Sequence, residues 1–368
     1  MTDAPILKPP SHLNYLDSAR GIAALLVAGG HFIPWVFGQN MTAKVLDILF
    51  NGVGAVSFFF VLSGFVLSYK YIVLNKALDL GSFYVNRLFR LWPAFFVTVV
   101  LCHVFDLTRF DITWQKLADT FVFDKSSFWE EAILIWSRTN LYGPGWTLVL
   151  ELKGSLFLPF IILLAKKDIR YLFWLAFVFY LLTFWFLVFF ILGVFISSYF
   201  TRISNSEFRK TKCFKYRHLI LVVAIVLYSV DPINKISPLG PDLIYLILYL
   251  LFNFYYTSAI GAFVFIIMLL NSSNAKKILS INPLLFMGKI SYSTYLVHWM
   301  LVGQAFIHRD ALMNYFQNET QAAIVVFATY ITSTIILATI MHYTVELPFI
   351  RMGKRITGKM RPYLKIQG

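Results

Sequence analysis

Charged residues are scarce in this chain, and cysteine is almost absent. Asp, Glu, Lys and Arg make up 14% of the 368 residues, whereas 59% are hydrophobic. A soluble domain cannot bury that much apolar surface, so the composition excludes a soluble enzyme and indicates a protein with several membrane spans. The two cysteines, Cys102 and Cys213, are too few and too far apart for a disulfide framework or a cysteine metal site.

The sequence also lacks the usual motifs for metals, nucleotides and serine hydrolases. It contains no His-x-x-x-His pair, no phosphate-binding glycine loop and no Gly-x-Ser-x-Gly elbow. We therefore expect no metal site and no permanently bound cofactor. The net charge of +14 would suit nucleic acid. The cations, however, concentrate in a few segments between apolar runs, which is typical of membrane topology, so no nucleic-acid partner is expected.

Apolar runs predict the membrane helices at 21–37, 50–69, 91–106, 146–165, 171–200, 218–230, 243–270, 284–303 and 322–345. As one helix, the run 171–200 would be about 45 Å long, well beyond a core of roughly 30 Å. The basic clusters fall on one side only if this run makes two passes that turn near Thr183. One long tilted helix is the alternative. The last run is expected to end at Pro348.

The sequence thus predicts an all-α polytopic membrane protein with about ten transmembrane helices and both termini in the cytoplasm. Residues 1–14 form a polar cytoplasmic segment without a signal-peptide pattern. Residues 15–349 form the membrane domain, and residues 350–368 a basic cytoplasmic tail. The bilayer is the first partner that this organisation implies.

Arg20 and His31 are eleven residues apart in the first apolar run. Eleven helical steps return to within roughly 20° of the starting direction, about 16 Å further along. Both cations therefore lie on one face, Arg20 near the membrane surface and His31 near the middle of the bilayer. Ionisable groups at that depth are costly and indicate function.

Arg87 and Arg90 share a face at the predicted cytoplasmic boundary of the third run. They could anchor the helix at lipid headgroups. Alternatively, they could form a phosphate-binding site together with Arg20, since a guanidinium group can donate two parallel hydrogen bonds to one phosphate. Glu151 is expected at the depth of His31 and is its best candidate partner. Its alternative role is that of a structural carboxylate.

A polar stripe follows one face of the predicted ninth helix, where Ser291, Tyr295 and His298 recur at i, i+4 and i+7. His342 and Glu346 likewise share a face of the last helix. Interhelical hydrogen bonding and a substrate path explain such stripes equally well.

With these motifs the chain resembles the acyltransferase-3 family of integral membrane acyltransferases along nearly its whole length. The matching segments, in order, are Leu16-Asp-Ser-Ala-Arg20-Gly-Ile-Ala-Ala-Leu with His31, Phe58-Phe-Phe-Val-Leu-Ser63-Gly64-Phe, Arg87-x-x-Arg90 with Pro93, Trp146-Thr-Leu-x-x-Glu151, Ile290-Ser-Tyr-Ser-x-Tyr295-Leu-x-His298 and Glu346-x-Pro348. Leu152 and Lys153 depart from the second acid and Gln that are common in the family after Glu151.

The resemblance implies transfer of an acyl group, commonly acetyl, from cytosolic acyl-CoA to a hydroxyl of a cell-surface or lipid-linked glycan. It suggests a bacterial inner membrane and a form without the C-terminal SGNH-type domain of some members. Under this hypothesis Arg20, Arg87 and Arg90 bind the CoA phosphates. His31 is the general base, and Arg20 and Glu151 complete the catalytic set. The substrate path is expected to include Ser63, Trp146, Ser291, Tyr295, His298 and Glu346.

Two other functions are compatible with a helical membrane protein. A transporter or flippase of acylated or glycan substrates could use the buried His, Arg and Glu as a proton relay. Such a protein should show inverted halves and broken helices around a midplane site, and the sequence shows neither clearly. A non-catalytic membrane scaffold would need no polar stripe at depth.

Overall fold

The computed structural model describes residues 10–37, 41–104, 128–133, 142–204, 206–236, 254–308, 311, 315 and 319–360. Within these residues the chain is helical and contains no β-strand, so the predicted all-α class is confirmed. The helices are α1 (Asn14–Phe37), α2 (Met41–Leu49), α3 (Gly52–Ile72), α4 (Leu80–Val104), α5 (Phe128–Ala132), α6 (Gly145–Lys167), α7 (Arg170–Leu181), α8 (Trp185–Ser198), α9 (Phe200–Ser204), α10 (Ser206–Arg209), α11 (Lys212–Lys215), α12 (Arg217–Tyr228), α13 (Val230–Ile236), α14 (Phe254–Asn271), α15 (Ser273–Leu279), α16 (Asn282–Lys289), α17 (Ser291–Ile307), α18 (Glu319–Met341) and, after a π-helical turn (His342–Glu346), α19 (Leu347–Met360).

Four helical segments of the described chain are long and apolar enough to cross a membrane, and a fifth follows if α14 and α15 form one span bent by 95°. The four are Met41–Ile72, Leu80–His103, Gly145–Lys167 and Thr320–Lys359. These helices are those of an integral membrane protein. The count of ten spans and the cytoplasmic termini stay predictions. The predicted span 243–270 lies partly outside the described residues, which resume at residue 254.

The long run 171–200 is two helices, so the alternative of one tilted helix is wrong. Helix α7 ends at Leu181, and Thr183 adopts a left-handed backbone conformation with φ of 59° before α8 begins. The rings of Phe173 and Phe195 lie 4.7 Å apart, which places the far ends of the two helices side by side. The run therefore folds as an antiparallel hairpin that turns at the predicted residue.

The last helix does not end at Pro348, contrary to the prediction. A segment of 40 residues, Thr320–Lys359, is continuous through the π-helical turn. There the Leu347 N–H bonds to the His342 carbonyl, five residues back. Pro348 is the second residue of α19 and directly follows the π-helical turn, so the proline lies where the regular i→i−4 hydrogen-bond ladder is already interrupted. The basic segment that follows packs as a helix along α4.

Helix α1 sits at the centre of the site because it packs against α3, α16, α17 and α18. Gly21 allows its closest approach: a Cβ at this position would lie 2.5 Å from the carbonyl carbon of Met287. Gly288 faces the backbone of Asp17 equally closely. The backbones of α1 and α16 are therefore in contact. Because α17 directly follows α16, this contact fixes the position of Arg20 along the axis of α1 relative to the polar stripe on α17.

Candidate active site

A cavity of about 840 Å³ opens among α1, α3, α4, α6, α17 and α19. Its lining contains two carboxylates, Asp17 and Glu151, against six cationic side chains: Arg20, Lys70, Arg87, Arg90, Lys289 and Lys354. The structure thus brings the three predicted arginines to one cavity. An excess of cations in a concave, partly apolar site favours a ligand with several negative charges. We call this space the cationic cavity.

The three arginines differ in how they are held. Arg87 is buried and locked between helices, because its Nη2 lies 2.5 Å from Oε1 of Glu151 and its Nε donates to Ser155 at 2.9 Å. The Arg20 Nη1 lies 3.2 Å from Asp17 Oδ1 on the same helix. Arg90 is the most open, with 35% of its side chain exposed. Arg20 and Arg90 are therefore better placed than Arg87 to meet a ligand.

Glu151 does not pair with His31, so that predicted contact is wrong. Its carboxylate lies against Arg87 and accepts from the Ser63 hydroxyl at 3.3 Å, both in the wall of the cationic cavity. The position of Glu151 along its helix predicted its depth in the membrane. It could not predict towards which neighbouring helix the side chain points.

His31 instead meets His298, and their rings stack at a centroid distance of 5.3 Å. Nδ1 of His31 lies 3.1 Å from Nε2 of His298, whose own Nδ1 lies 2.6 Å from the Tyr295 carbonyl oxygen. A carbonyl only accepts, so Nδ1 of His298 carries a proton and its Nε2 is an acceptor in the neutral ring. His31 then donates from Nδ1, and among the residues that the structure describes no hydrogen bond occupies the lone pair of its Nε2.

A second, smaller cavity of about 170 Å³ adjoins His31. Its wall also contains the carboxylates Asp47 and Asp231 and the aromatic rings of Trp146 and Tyr255. The described lining residues of this cavity include no Lys or Arg, in contrast to the cationic cavity. We call it the acidic cavity. Three residues line both cavities: Val56, Thr147 and Tyr295.

The other predicted path residues divide between these places. Ser63 and Ser291 line the cationic cavity, whereas Trp146 lines the acidic cavity. Glu346 lies behind Arg90, with the two side chains 3.7 Å apart, and it is fully buried. It lines neither cavity.

Glu346 is held by two further groups. Its Oε2 accepts from the Ser293 hydroxyl at 2.8 Å and from Nδ1 of His342 at 2.9 Å. His342 lies in the π-helical turn and lines the cationic cavity. A π-helical turn often marks a functional site. The pair His342 and Glu346 could be foreseen from their shared helix face, but their position beside Arg90 could not.

Sequence reasoning missed the lysines of the cationic cavity and both carboxylates of the acidic cavity. The sequence prediction places Lys354 in a basic tail, although the amphipathic pattern of α19 is a signal for a packed helix. Asp47 and Asp231 lie on the short helices α2 and α13, which pack together although 184 positions separate the two residues. No sequence pattern links such distant residues.

Comparison with known proteins shows the family of this chain. A family model described as an acyltransferase domain matches residues 13–343. Nodulation protein 10 of Rhizobium leguminosarum bv. viciae is 29% identical over 173 residues, which are 42% of this chain and 46% of that relative. The similarity thus spans about half the length of the relative. No solved structure matches the chain.

Proposed function

The chain belongs to the acyltransferase-3 family, and on that premise we propose that it is a membrane O-acyltransferase whose donor is cytosolic acyl-CoA, most simply acetyl-CoA. One observation carries the proposal. Helix α1 presents Arg20 to the cationic cavity and His31 to the acidic cavity, eleven residues further along. A polyanion site and a base thus lie on one rigid element, about 16 Å apart.

The cationic cavity suits the head of acyl-CoA, which carries several phosphates. Arg20 and Arg90 would grip phosphate oxygens, and the lysines of the wall, Lys70, Lys289 and Lys354, would add charge. Arg87 and Glu151 form an ion pair in the wall of the cationic cavity. Their role in this proposal is to stabilise that wall, whereas Arg20 and Arg90 bind the donor. The pantetheine arm is comparable in length to the separation of Arg20 and His31, so the thioester would reach the neighbourhood of the base.

His31 acts as the general base in this mechanism. Its Nε2 takes the proton of the acceptor hydroxyl, and the oxygen attacks the thioester carbonyl. The new C–O bond forms, the C–S bond breaks, and the CoA thiolate takes the proton from the imidazolium. A positioned base contributes about 10²–10⁴-fold to the rate. His298 is a positioning residue, because it accepts from Nδ1 of His31 and so holds the reactive tautomer.

The acidic cavity is the natural place for the acceptor hydroxyl, since His31 lies in its wall. Trp146 and Tyr255 offer flat apolar faces for a sugar ring, and Asp47 and Asp231 offer acceptors for hydroxyl protons. This chemistry supports a glycan or lipid-linked sugar as acceptor. With acyl-CoA on the cytoplasmic side, the basic segments would also be cytoplasmic. That orientation fits about ten spans, cytoplasmic termini and a bacterial inner membrane.

Purified protein in nanodiscs, incubated with acetyl-CoA labelled in the acetyl group, tests this proposal. We expect release of CoA or label on an added sugar acceptor, lost in Arg20→Ala and His31→Ala. Arg170→Ala is the matched control, because Arg170 is exposed, pairs with Asp168 and lines neither cavity. Wild type that is folded but neither binds nor turns over acetyl-CoA would contradict the proposal and favour a transporter. Turnover that persists in His31→Ala would contradict the role of the base.

A further inference from the structure

Val56 on α3, Thr147 on α6 and Tyr295 on α17 line both cavities and form the partition between them. We propose that this partition sets the length of the transferable acyl group and closes the path between the two cavities. The first half of this inference rests on the proposed function. The second half does not, because it concerns only the geometry of the cavities.

The contacts of Tyr295 hold the partition closed. Its hydroxyl lies 2.5 Å from Oγ1 of Thr147 and 3.4 Å from the carbonyl oxygen of Pro144. Its backbone carbonyl accepts from the Tyr142 hydroxyl at 3.0 Å. The edge of its ring meets Phe59 at a centroid distance of 6.0 Å. The side chain is thus fixed at both ends, by a hydrogen bond to α6 and by the packing of its own helix.

The position of this partition constrains the donor. Arg20 lies on the side of the cationic cavity and His31 on the side of the acidic cavity. A donor whose phosphates lie near Arg20 must therefore bring its thioester to the partition for the carbonyl carbon to meet the acceptor oxygen beside His31. The acyl chain beyond that carbonyl has to fit among Val56, Thr147 and Tyr295, all of which are buried.

This geometry selects short acyl groups. Each added methylene must displace the Val56 side chain or break the bond between Tyr295 and Thr147. One extra methylene in a tight apolar site is typically worth about 10–200-fold in kcat/KM. We therefore expect kcat/KM to fall from acetyl to propionyl and again to butyryl, by about 10–200-fold for each added methylene.

The same contacts keep the membrane sealed. Both cavities contain charged side chains and open toward solvent, so their fusion would create a polar path through the protein. The hydrogen-bonded hydroxyls of Tyr295 and Thr147, together with the Val56 side chain, block this path. In the proposal they move aside when an acyl group enters and return when it leaves. Tyr295 is suited to this role, because losing one hydrogen bond frees its hydroxyl end while its backbone stays anchored through Tyr142.

Thiol accessibility tests the seal without requiring any activity. In a background with both native cysteines replaced, Ser63→Cys lies only in the cationic cavity and Val53→Cys only in the acidic cavity. In proteoliposomes of known orientation, a membrane-impermeant methanethiosulfonate should modify the two positions from opposite sides. Adding Val56→Gly with Tyr295→Ala should let one side reach both. Modification of both positions from the same side without these changes would overturn the partition.

A donor-length series tests the selectivity. We would measure kcat/KM for acetyl-, propionyl-, butyryl- and hexanoyl-CoA in wild type, Val56→Ala and Tyr295→Phe. The ratio of butyryl to acetyl should rise at least about tenfold in Val56→Ala. Val66→Ala is the matched control, since Val66 lines only the cationic cavity, and its ratio should match wild type.

The outcomes separate the two proposals. If acetyl transfer occurs and Val56→Ala keeps the length profile of wild type, the partition does not set acyl length. If no CoA thioester is used by any form, the proposed function fails, and the accessibility result still decides whether the partition exists. If Val66→Ala relaxes the profile as much as Val56→Ala, general loosening explains the effect and the assignment of Val56 is wrong.

Discussion

Nδ1 of His31 lies 3.1 Å from Nε2 of His298, so one hydrogen bond joins the half-buried imidazole of His31 to the buried imidazole of His298. The chain of bonds that ends at the Tyr295 carbonyl fixes which nitrogen of each ring carries hydrogen. In the proposed mechanism His298 therefore takes the place that a carboxylate occupies beside the histidine of a catalytic triad. It would orient the base without adding a further negative charge to a cavity that already contains Asp47 and Asp231.

Changing His298 to Ala should lower kcat for acyl transfer by about 10²–10⁴-fold while KM for acetyl-CoA changes little, because the base loses its tautomer and orientation. His298→Gln should restore part of the rate, since a side-chain carbonyl can accept from Nδ1 of His31. Steady-state kinetics with both variants would check this. A fall in kcat that is equal in the two, with intact folding, would show that hydrogen bonding at this position is irrelevant.

The ion pair of Arg87 and Glu151 should matter for stability more than for donor binding. Arg87→Ala leaves a mostly buried carboxylate without its cation, and breaking such a pair typically costs about 3–5 kcal/mol. We expect a clear fall in the thermal midpoint in detergent. Arg20→Ala should leave the midpoint near wild type and weaken acetyl-CoA binding instead. The opposite pattern in these two variants would refute the division of roles.

Replacing Gly21 with Ala should push α1 away from α16, because the new Cβ would lie 2.5 Å from the backbone of Met287. Overpacking of this kind typically costs about 1–3 kcal/mol. Arg20 would move with the helix, so KM for acetyl-CoA should rise. Gly358→Ala is the matched control for the thermal midpoint, since a Cβ there meets nothing within 4 Å. Equal behaviour of the two variants would argue against a close helix contact at Gly21.

Donor affinity should depend on phosphate charge and on salt. Charge-assisted hydrogen bonds are worth about 1.5–3 kcal/mol, so removing the 3′-phosphate of CoA should weaken binding roughly ten- to hundredfold. The loss should shrink in Lys354→Ala if that lysine meets this phosphate. Competition binding with CoA, dephospho-CoA and pantetheine at low and high salt would measure both effects. Equal affinity of all three competitors would contradict a phosphate site in the cationic cavity.

The parts of this site that follow a local periodicity could be predicted from the sequence. The eleven-residue spacing of Arg20 and His31 predicted that both lie on one helix and how far apart they are. The length of the run 171–200, too great for one span, predicted the turn near Thr183. Contacts between helices were not predictable in the same way. The partner of Glu151 depends on how α6 is rotated against α4, and Lys354 reaches the cavity only because the chain continues as a helix past Pro348.

Photo-crosslinking of the donor tests the central claim most directly, namely that acyl-CoA lies in the cationic cavity with its acyl end directed toward His31. The probe is a CoA thioester whose short acyl group carries a diazirine, and mass spectrometry locates the adduct. The account predicts label on residues of the partition or on the His31 segment of α1, lost with excess CoA and weakened in Arg20→Ala. Label confined to exposed residues outside both cavities such as Trp174, or label that CoA does not displace, would contradict it.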